Sequence, residues 1–132
     1  MKQHQQPQTI SHFSLRINEQ DECWIRYQVK QKSHRHNYKW KHSKHSRTRA
    51  AQRGFNYKTL LMAIEYGEAI HKQGMTYFVV QKKHLPEHLP NKIKDKLNNV
   101  VVVTSNYGQE IITCYKSHNA IKHINRKGKR LY

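Results

Sequence analysis

The sequence predicts an α+β domain in which two N-terminal helices pack on a roughly four-stranded antiparallel sheet. Residues 43–67 hold two helix N-cap residues and two closing glycines, and the stretch 68–115 is rich in β-branched and aromatic residues. Helices and strands are therefore separated along the chain, which is typical of helices that cover one face of an antiparallel sheet. A chain of 132 residues allows one domain of ordinary size.

Two predicted helices open the domain. The first covers residues 44–53, with Ser43 as its N-cap and Gly54 as the glycine that ends it. The second begins after a new N-cap, Asn56, and ends at Gly67. The first helix is mostly polar, so the second supplies the stripe of core residues. The residues of that stripe are Tyr57, Leu60, Leu61 and Ile64.

Four strands are predicted after the helices, at residues 69–71, 75–80, 100–104 and 110–115. Gln73-Gly74 forms the turn of the first hairpin, and residues 105–108 form the turn of the second. Two prolines between the hairpins exclude a continuous strand there, and a short helix is predicted over residues 91–97.

The remaining residues form two arms of the domain. Residues 1–22 can bury little and are predicted to be weakly ordered, although residues 12–17 alternate like a short strand. Residues 23–29 are β-prone, and residues 33–41 are interpreted as a basic loop. The chain then divides into a basic, His- and Gln-rich N-terminal arm, an α+β domain and a basic C-terminal tail, at residues 1–40, 41–116 and 117–132.

The charge of the chain predicts a polyanion, RNA in particular, as its partner. Lys and Arg number 25 against 8 acidic residues, a net charge of +17, and no acidic residue lies between Glu22 and Glu65. Such a one-signed surface suits phosphate binding; the alternative is a solvated, solubilising face. Tyr38 and Trp40 either stack on unpaired bases or anchor the arm to the domain. The predicted nucleic-acid-binding residues are Arg35, Tyr38, Lys39, Trp40, Lys41, Lys44, Arg47, Lys116, Lys122, Arg126, Lys127 and Arg130.

Neither membrane insertion nor secretion is predicted. The longest apolar runs fall far short of the roughly 20 residues of a spanning helix, and residues 1–8 are polar. Cys23 and Cys114 lack the CxxC spacing of a redox or zinc motif, so both are expected to be reduced and the location cytoplasmic. The oligomeric state is left open, self-association included.

Three basic side chains on the first predicted helix could carry chemistry. His45, Arg49 and Arg53 follow one another at i, i+4 and i+8, which places them on one helix face. They suit an RNA phosphodiester, because Arg neutralises the phosphate and its transition state while His moves a proton. That chemistry requires no metal ion or cofactor. The alternative is that the three side chains merely face solvent.

Attack of a ribose 2′-oxygen on phosphorus also needs an acid that protonates the leaving 5′-oxygen. His118 is the candidate if the chain folds back beside the helix; otherwise it is a surface histidine. A zinc site is the competing use of the histidines, but it is disfavoured, because the cluster holds no thiolate or carboxylate and is surrounded by positive charge. The imidazoles in question are His34, His36, His42 and His45.

Three stretches of the sequence carry a resemblance to a known family: residues 45–55 (HSRTRAAQRGF), the apolar helix ending at Gly67, and the hairpin of residues 100–115 with its IITCY strand. They resemble the uncharacterised domain family forty-two fifty-eight. That family is similar to the barnase, EndoU, colicin and RelE-like (BECR) group of small ribonuclease folds, many of which are metal-independent toxins. The resemblance covers residues 41–116, and residues 82–99 are longer than the compact family pattern.

The resemblance implies a toxin-type endoribonuclease in which His45 is the helix histidine and Arg49 and Arg53 are the helix arginines. Thr113 and Tyr115 would be polar residues presented by the last strand, although Tyr115 is equally compatible with packing. An acidic antitoxin or immunity protein is then expected as a partner, because such a nuclease must be masked in its own cell. The alternative is a non-catalytic RNA- or DNA-binding module whose basic surface only contacts phosphates.

Overall fold

The computed structural model describes residues 9–17, 23–31, 34–106 and 109–128, with side chains at Ile25, 39–106 and 109–128. The strands are β1 (Thr9–Ile17), β2 (Cys23–Gln31), β3 (His34–His42), β4 (Glu68–Lys72), β5 (Met75–Val79), β6 (Val100–Ser105) and β7 (Glu110–Lys116). The helices are α1 (Lys44–Gln52), α2 (Tyr57–Tyr66), α3 (Asn91–Leu97) and α4 (Ala120–Asn125), and a single 3-10 turn covers Lys82–His84.

All seven strands belong to one mixed sheet, in the order β1-β2-β3-β7-β6-β5-β4. Neighbouring strands are antiparallel except β3 and β7, which run parallel and pair at only two positions. Lys41 is opposite Glu110 and His42 is opposite Ile111, and the Lys41 amide donates to the Gln109 carbonyl at 2.8 Å. This short parallel pair joins the N-terminal strands to the remainder of the sheet.

The predicted α+β class is confirmed, but the prediction of about four strands and two helices is wrong. The four predicted strands correspond to β4 to β7, and three further strands come from the N-terminal arm. Of the predicted loop 33–41, residues 34–41 form most of β3, and residues 9–17 form β1 instead of a weakly ordered segment. Antiparallel pairing satisfies the backbone of these polar segments, which overrides their composition. Residues 1–8 and 18–22 lie outside the described residues.

The predicted helix boundaries are confirmed by the capping geometry. The Ser43 side chain accepts a hydrogen bond from the Ser46 amide at 3.1 Å, and Asn56 Oδ1 accepts one from the Thr59 amide at 2.8 Å. Gly54 follows α1 with φ of 79°, a conformation that suits glycine. Residues 53–56 form the short connection that joins α1 to α2.

The two faces of the sheet carry separate groups of core residues. On one face, α1, α2 and α3 cover Val100, Val102 and Cys114. On the other face, α4 packs through Ala120 and Ile124 against strand residues of alternate register, among them Val101, Val103 and Tyr115. The helices therefore lie on both faces, with α1 and α4 on opposite sides.

Across the described part of the chain, no helix combines the length and the apolar character that crossing a membrane requires.

Candidate nucleic-acid interface

The solvent-facing side of α1 presents the predicted basic residues. His45, Arg49 and Arg53 are exposed, whereas Ser46 and Ala50 are buried. Because Ser46 and Ala50 are four residues apart, they lie on the same side of the helix. Along this narrow line α1 contacts the rest of the domain, and it packs against β7. We call the exposed surface formed by His45, Arg49 and Arg53 the α1 basic face.

Arg53 is fixed to the edge of β7. Its Nη1 donates to the Cys114 carbonyl at 2.6 Å and lies 3.4 Å from Thr113 Oγ1. The pairing of β7 with β3 ends at Ile111, so this carbonyl belongs to a strand edge that has no neighbouring strand among the described residues. Both contacts use Nη1, and the other guanidinium donors can face a ligand. The structure therefore brings Arg53 and Thr113 together, as predicted for a shared site.

Tyr115 lies away from the α1 basic face. Its ring packs with Val101 and Val103 on the sheet face that α4 covers. Burial raises the pKa of Tyr115, and Tyr77 beside it adds to the effect. Tyr115 is thus a packing residue, which was the alternative left open by the sequence.

His118 and His45 are not brought together. His118 follows β7 and its Nδ1 lies 3.2 Å from the Asn99 side-chain nitrogen. α1 begins at the other end of β7, where His42 is opposite Ile111. A strand of seven residues spans about 20 Å, so the two histidines lie near opposite ends of it. The chain does not fold back beside α1 after β7 but continues into α4 on the other sheet face.

The other predicted nucleic-acid-binding residues fall into two groups. Near α1, Lys39 and Lys44 are exposed, Lys41 and Arg47 are half-buried, and the Trp40 ring meets Phe78 edge-on at 6.2 Å. Trp40 therefore anchors β3 to the core, the second of its two predicted roles. Exposed residues at the end of β7 and around α4 form the other group: Lys116, Lys122, Arg126 and Lys127. The side chains of Arg35 and Tyr38, and all of Arg130, lie outside the described residues.

His42 is a buried polar residue that the sequence suggested only as one of four candidate zinc ligands. Its side chain is 1% exposed, and neither ring nitrogen has a hydrogen-bond partner. Burial, with the positive charge of Arg47 in addition, lowers the pKa of His42 to about 4. A backbone group of Ser46 offsets this in part, although it does not reach hydrogen-bond geometry with either ring nitrogen. Strand alternation with Trp40 would have predicted the inward position, had residues 34–42 been interpreted as a strand.

In the described ranges, no group of three or more His, Cys, Asp or Glu side chains could hold a metal ion. His42 is buried beneath α1 and His45 is exposed on it, so these two neighbours in sequence do not share a surface. The side chains of His34 and His36 lie outside that part of the chain.

No family model, curated protein or solved structure matches the chain.

Proposed function

We propose that the chain binds RNA along the α1 basic face and cleaves it there without a metal ion, as a cytoplasmic endoribonuclease of toxin type. The observation that carries this proposal is the exposure of His45 and Arg49 beside an Arg53 that β7 holds in place. A guanidinium held in advance stabilises a phosphorane with little reorganisation, which is where electrostatic catalysis gains most. A BECR-type fold over residues 41–116 is part of the same proposal.

The proposed reaction needs one imidazole. His45 accepts the proton of a ribose 2′-OH while the 2′-oxygen bonds to phosphorus, and the bond from phosphorus to the 5′-oxygen breaks. The leaving 5′-oxygen takes a proton from the imidazolium or from water, which leaves a 2′,3′-cyclic phosphate and a 5′-hydroxyl. Arg49 and Arg53 balance the charge of the phosphorane. His118 and Tyr115 have no part in this version of the site.

A second candidate function is supported by the distance of His118 from α1. Without a separate acid, the same residues could serve a non-catalytic RNA- or DNA-binding module that only contacts phosphates. The exposed basic residues suit either function, and a nuclease would in addition require an acidic antitoxin or immunity protein to mask it. Both candidate functions predict RNA binding, but only the nuclease uses His45 to transfer a proton.

Incubation with mixed cellular RNA in EDTA tests the proposal. We expect wild type to cleave, and His45→Ala to lose about two to four orders of magnitude in rate, the usual contribution of a proton-transfer group. Retention of RNA by the variant on a native gel should change little, since the two arginines remain. His84→Ala is the matched control, because His84 is exposed on the 3-10 turn far from α1 in sequence.

The outcomes of this experiment separate the two candidates and the role of His45 from an effect on folding. If wild type and His45→Ala both retain RNA and neither cleaves it, across several RNA classes, the result would establish the non-catalytic binding module. Equal cleavage by wild type and His45→Ala would remove His45 from the mechanism. Loss of cleavage in both His45→Ala and His84→Ala would show a general effect on folding.

A further inference from the structure

A small pocket opens between α1 and α2, on the flank of α1 that faces away from the α1 basic face. Its volume is about 230 Å³, and its walls are mostly apolar, including Ala51, Phe55 and Leu60. The imidazole of His42 and the side chain of Arg47 also line the pocket, together with Asn56 and Tyr57. We call this the His42 pocket.

The imidazole of His42 is the polar group in this pocket whose ring nitrogens a ligand would hydrogen-bond. It is 99% buried, both of its ring nitrogens lack hydrogen-bond partners, and it lines the pocket. Buried polar atoms are almost always hydrogen-bonded, because leaving one unpaired costs about 1–3 kcal/mol. The ring is held by the Tyr57 ring, edge to face with centroids 5.9 Å apart, so it cannot easily turn out to water.

The size and lining of the pocket narrow the class of ligand. A volume of 230 Å³ is several times the share of one water and is below that of sites for drug-sized molecules, which start at about 300 Å³. Apolar walls do not suit an inorganic anion, and an uncharged imidazole gives one donor and one acceptor. A flat ligand with apolar faces and a polar edge meets both requirements.

We propose that the His42 pocket receives an unpaired nucleobase, with the His42 imidazole hydrogen-bonding to the edge of the base and the apolar walls covering its faces. Proteins that read single-stranded RNA hold splayed bases in this way, by stacking and by hydrogen bonds to base edges. Arg47 adds a positive charge beside the electron-rich ring edge. The base comes either from a free nucleoside or from an RNA strand.

The position of the pocket fits a strand that crosses α1. Successive helical residues are about 100° apart, which places Arg47 and Ala51 on the flank opposite Arg49. The exposed residues Lys44 and Thr48 lie between the two flanks. The diameter of a helix with side chains is about 10–12 Å, so a strand passing over α1 would reach both sites within a few nucleotides. This strand arrangement rests on the proposed function, whereas nucleoside binding does not.

The test compares two tryptophan variants, one that fills the pocket and one at an exposed position away from α1. Ala51→Trp fills the pocket from an exposed position, and His84→Trp places the same side chain on the 3-10 turn, outside the pocket and away from the α1 basic face. Saturation-transfer NMR is recorded with adenosine, guanosine, cytidine and uridine, and with ribose 5-phosphate as the base-free probe. Affinity is measured for a 2′-O-methyl RNA, which cannot be cleaved, as a single strand and as a duplex.

We expect Ala51→Trp to abolish nucleoside signals and to weaken single-strand binding about tenfold, within the range for loss of one stacked base. His84→Trp should keep both, and duplex binding should be the same in all three proteins because paired bases cannot enter. A nucleoside signal indicates that the free base is bound. A single-strand effect without that signal indicates that the base is bound only as part of a strand.

The proposal is overturned if Ala51→Trp and His84→Trp behave alike in both measurements, because the pocket then takes no part in binding. His42→Leu provides a second reading, because it keeps the apolar volume and removes the hydrogen bonds. Arg49→Ala on the same RNA reports separately on the α1 basic face. If neither wild type nor any variant binds RNA, the proposed function is wrong, and the nucleoside spectra alone show whether the pocket binds a base.

Discussion

At the scale of single residues, the burial of the His42 imidazole couples the charge of this side chain to folding. Its pKa is about 4 in the folded protein and about 6.5 when the chain is unfolded. The unfolded chain therefore binds this proton first as the pH falls, and stability falls with it. The groups that face the ring are Arg47 on α1, which opposes its protonation, and Tyr57 on α2.

We predict that the free energy of unfolding contains a His42 contribution that is fully present above pH 6.5 and is lost as the pH falls toward 4. Its size is up to about 3 kcal/mol, from about 1.4 kcal/mol for each unit by which the pKa differs. Urea unfolding across this range should show a shallower pH dependence for His42→Leu than for wild type. The control His84→Leu should follow wild type, and identical slopes for His42→Leu and wild type would contradict the prediction.

At the scale of elements, two glycines end the first two helices for different physical reasons. A Cβ at Gly67 would lie 2.5 Å from the Ala63 carbonyl oxygen and 3.2 Å from backbone atoms of Phe78 and Val79. Gly67 itself has an ordinary φ of −74°, so the constraint there is the close approach of α2 to β5. A Cβ at Gly54 would meet no atom within 4 Å, but φ is 79°.

We predict that Gly67→Ala destabilises the protein by about 2 kcal/mol, as overpacking against atoms that cannot move aside usually does. Gly54→Ala should cost about 1 kcal/mol, the strain of a left-handed conformation alone. Thermal and denaturant unfolding of the two variants measure the difference. Equal losses, or a larger loss for Gly54→Ala, would show that α2 and β5 can separate enough to admit a methyl group.

The elements also show how far the sequence could predict the fold and the site. Helix caps, the Gln73-Gly74 turn and the C-terminal hairpin depend on local chemistry, and the prediction of each is confirmed. The β3 strand depends on antiparallel pairing with β2, its neighbour in the chain, and on a short parallel pairing with β7, which is distant in sequence. A run of basic residues carries no local signal of either pairing. The same holds for His118 and Tyr115, whose positions follow from the sheet face that α4 covers. Helical spacing, in contrast, correctly placed His45 and Arg49 on one exposed face.

At the scale of the whole molecule, the described part of the chain has two basic surfaces on opposite sides of the sheet. The α1 basic face is one, and the exposed residues Lys122, Arg126 and Lys127 around α4 are the other. A short nucleic acid that contacts α1 cannot reach α4 across the sheet. A long one can wrap around the edge and release counterions at both surfaces.

The salt dependence of RNA affinity separates these two surfaces. Each phosphate contact contributes about 0.7 to the slope of log affinity against log salt for a single strand. With a short uncleavable oligonucleotide, we predict that Arg49→Ala reduces this slope by about that amount and that Arg126→Ala leaves it unchanged. With a long RNA, both variants should reduce it, because the strand then contacts both sides of the sheet. An effect of Arg126→Ala alone with the short oligonucleotide would place the primary interface at α4 and would contradict the assignment of RNA binding to the α1 basic face.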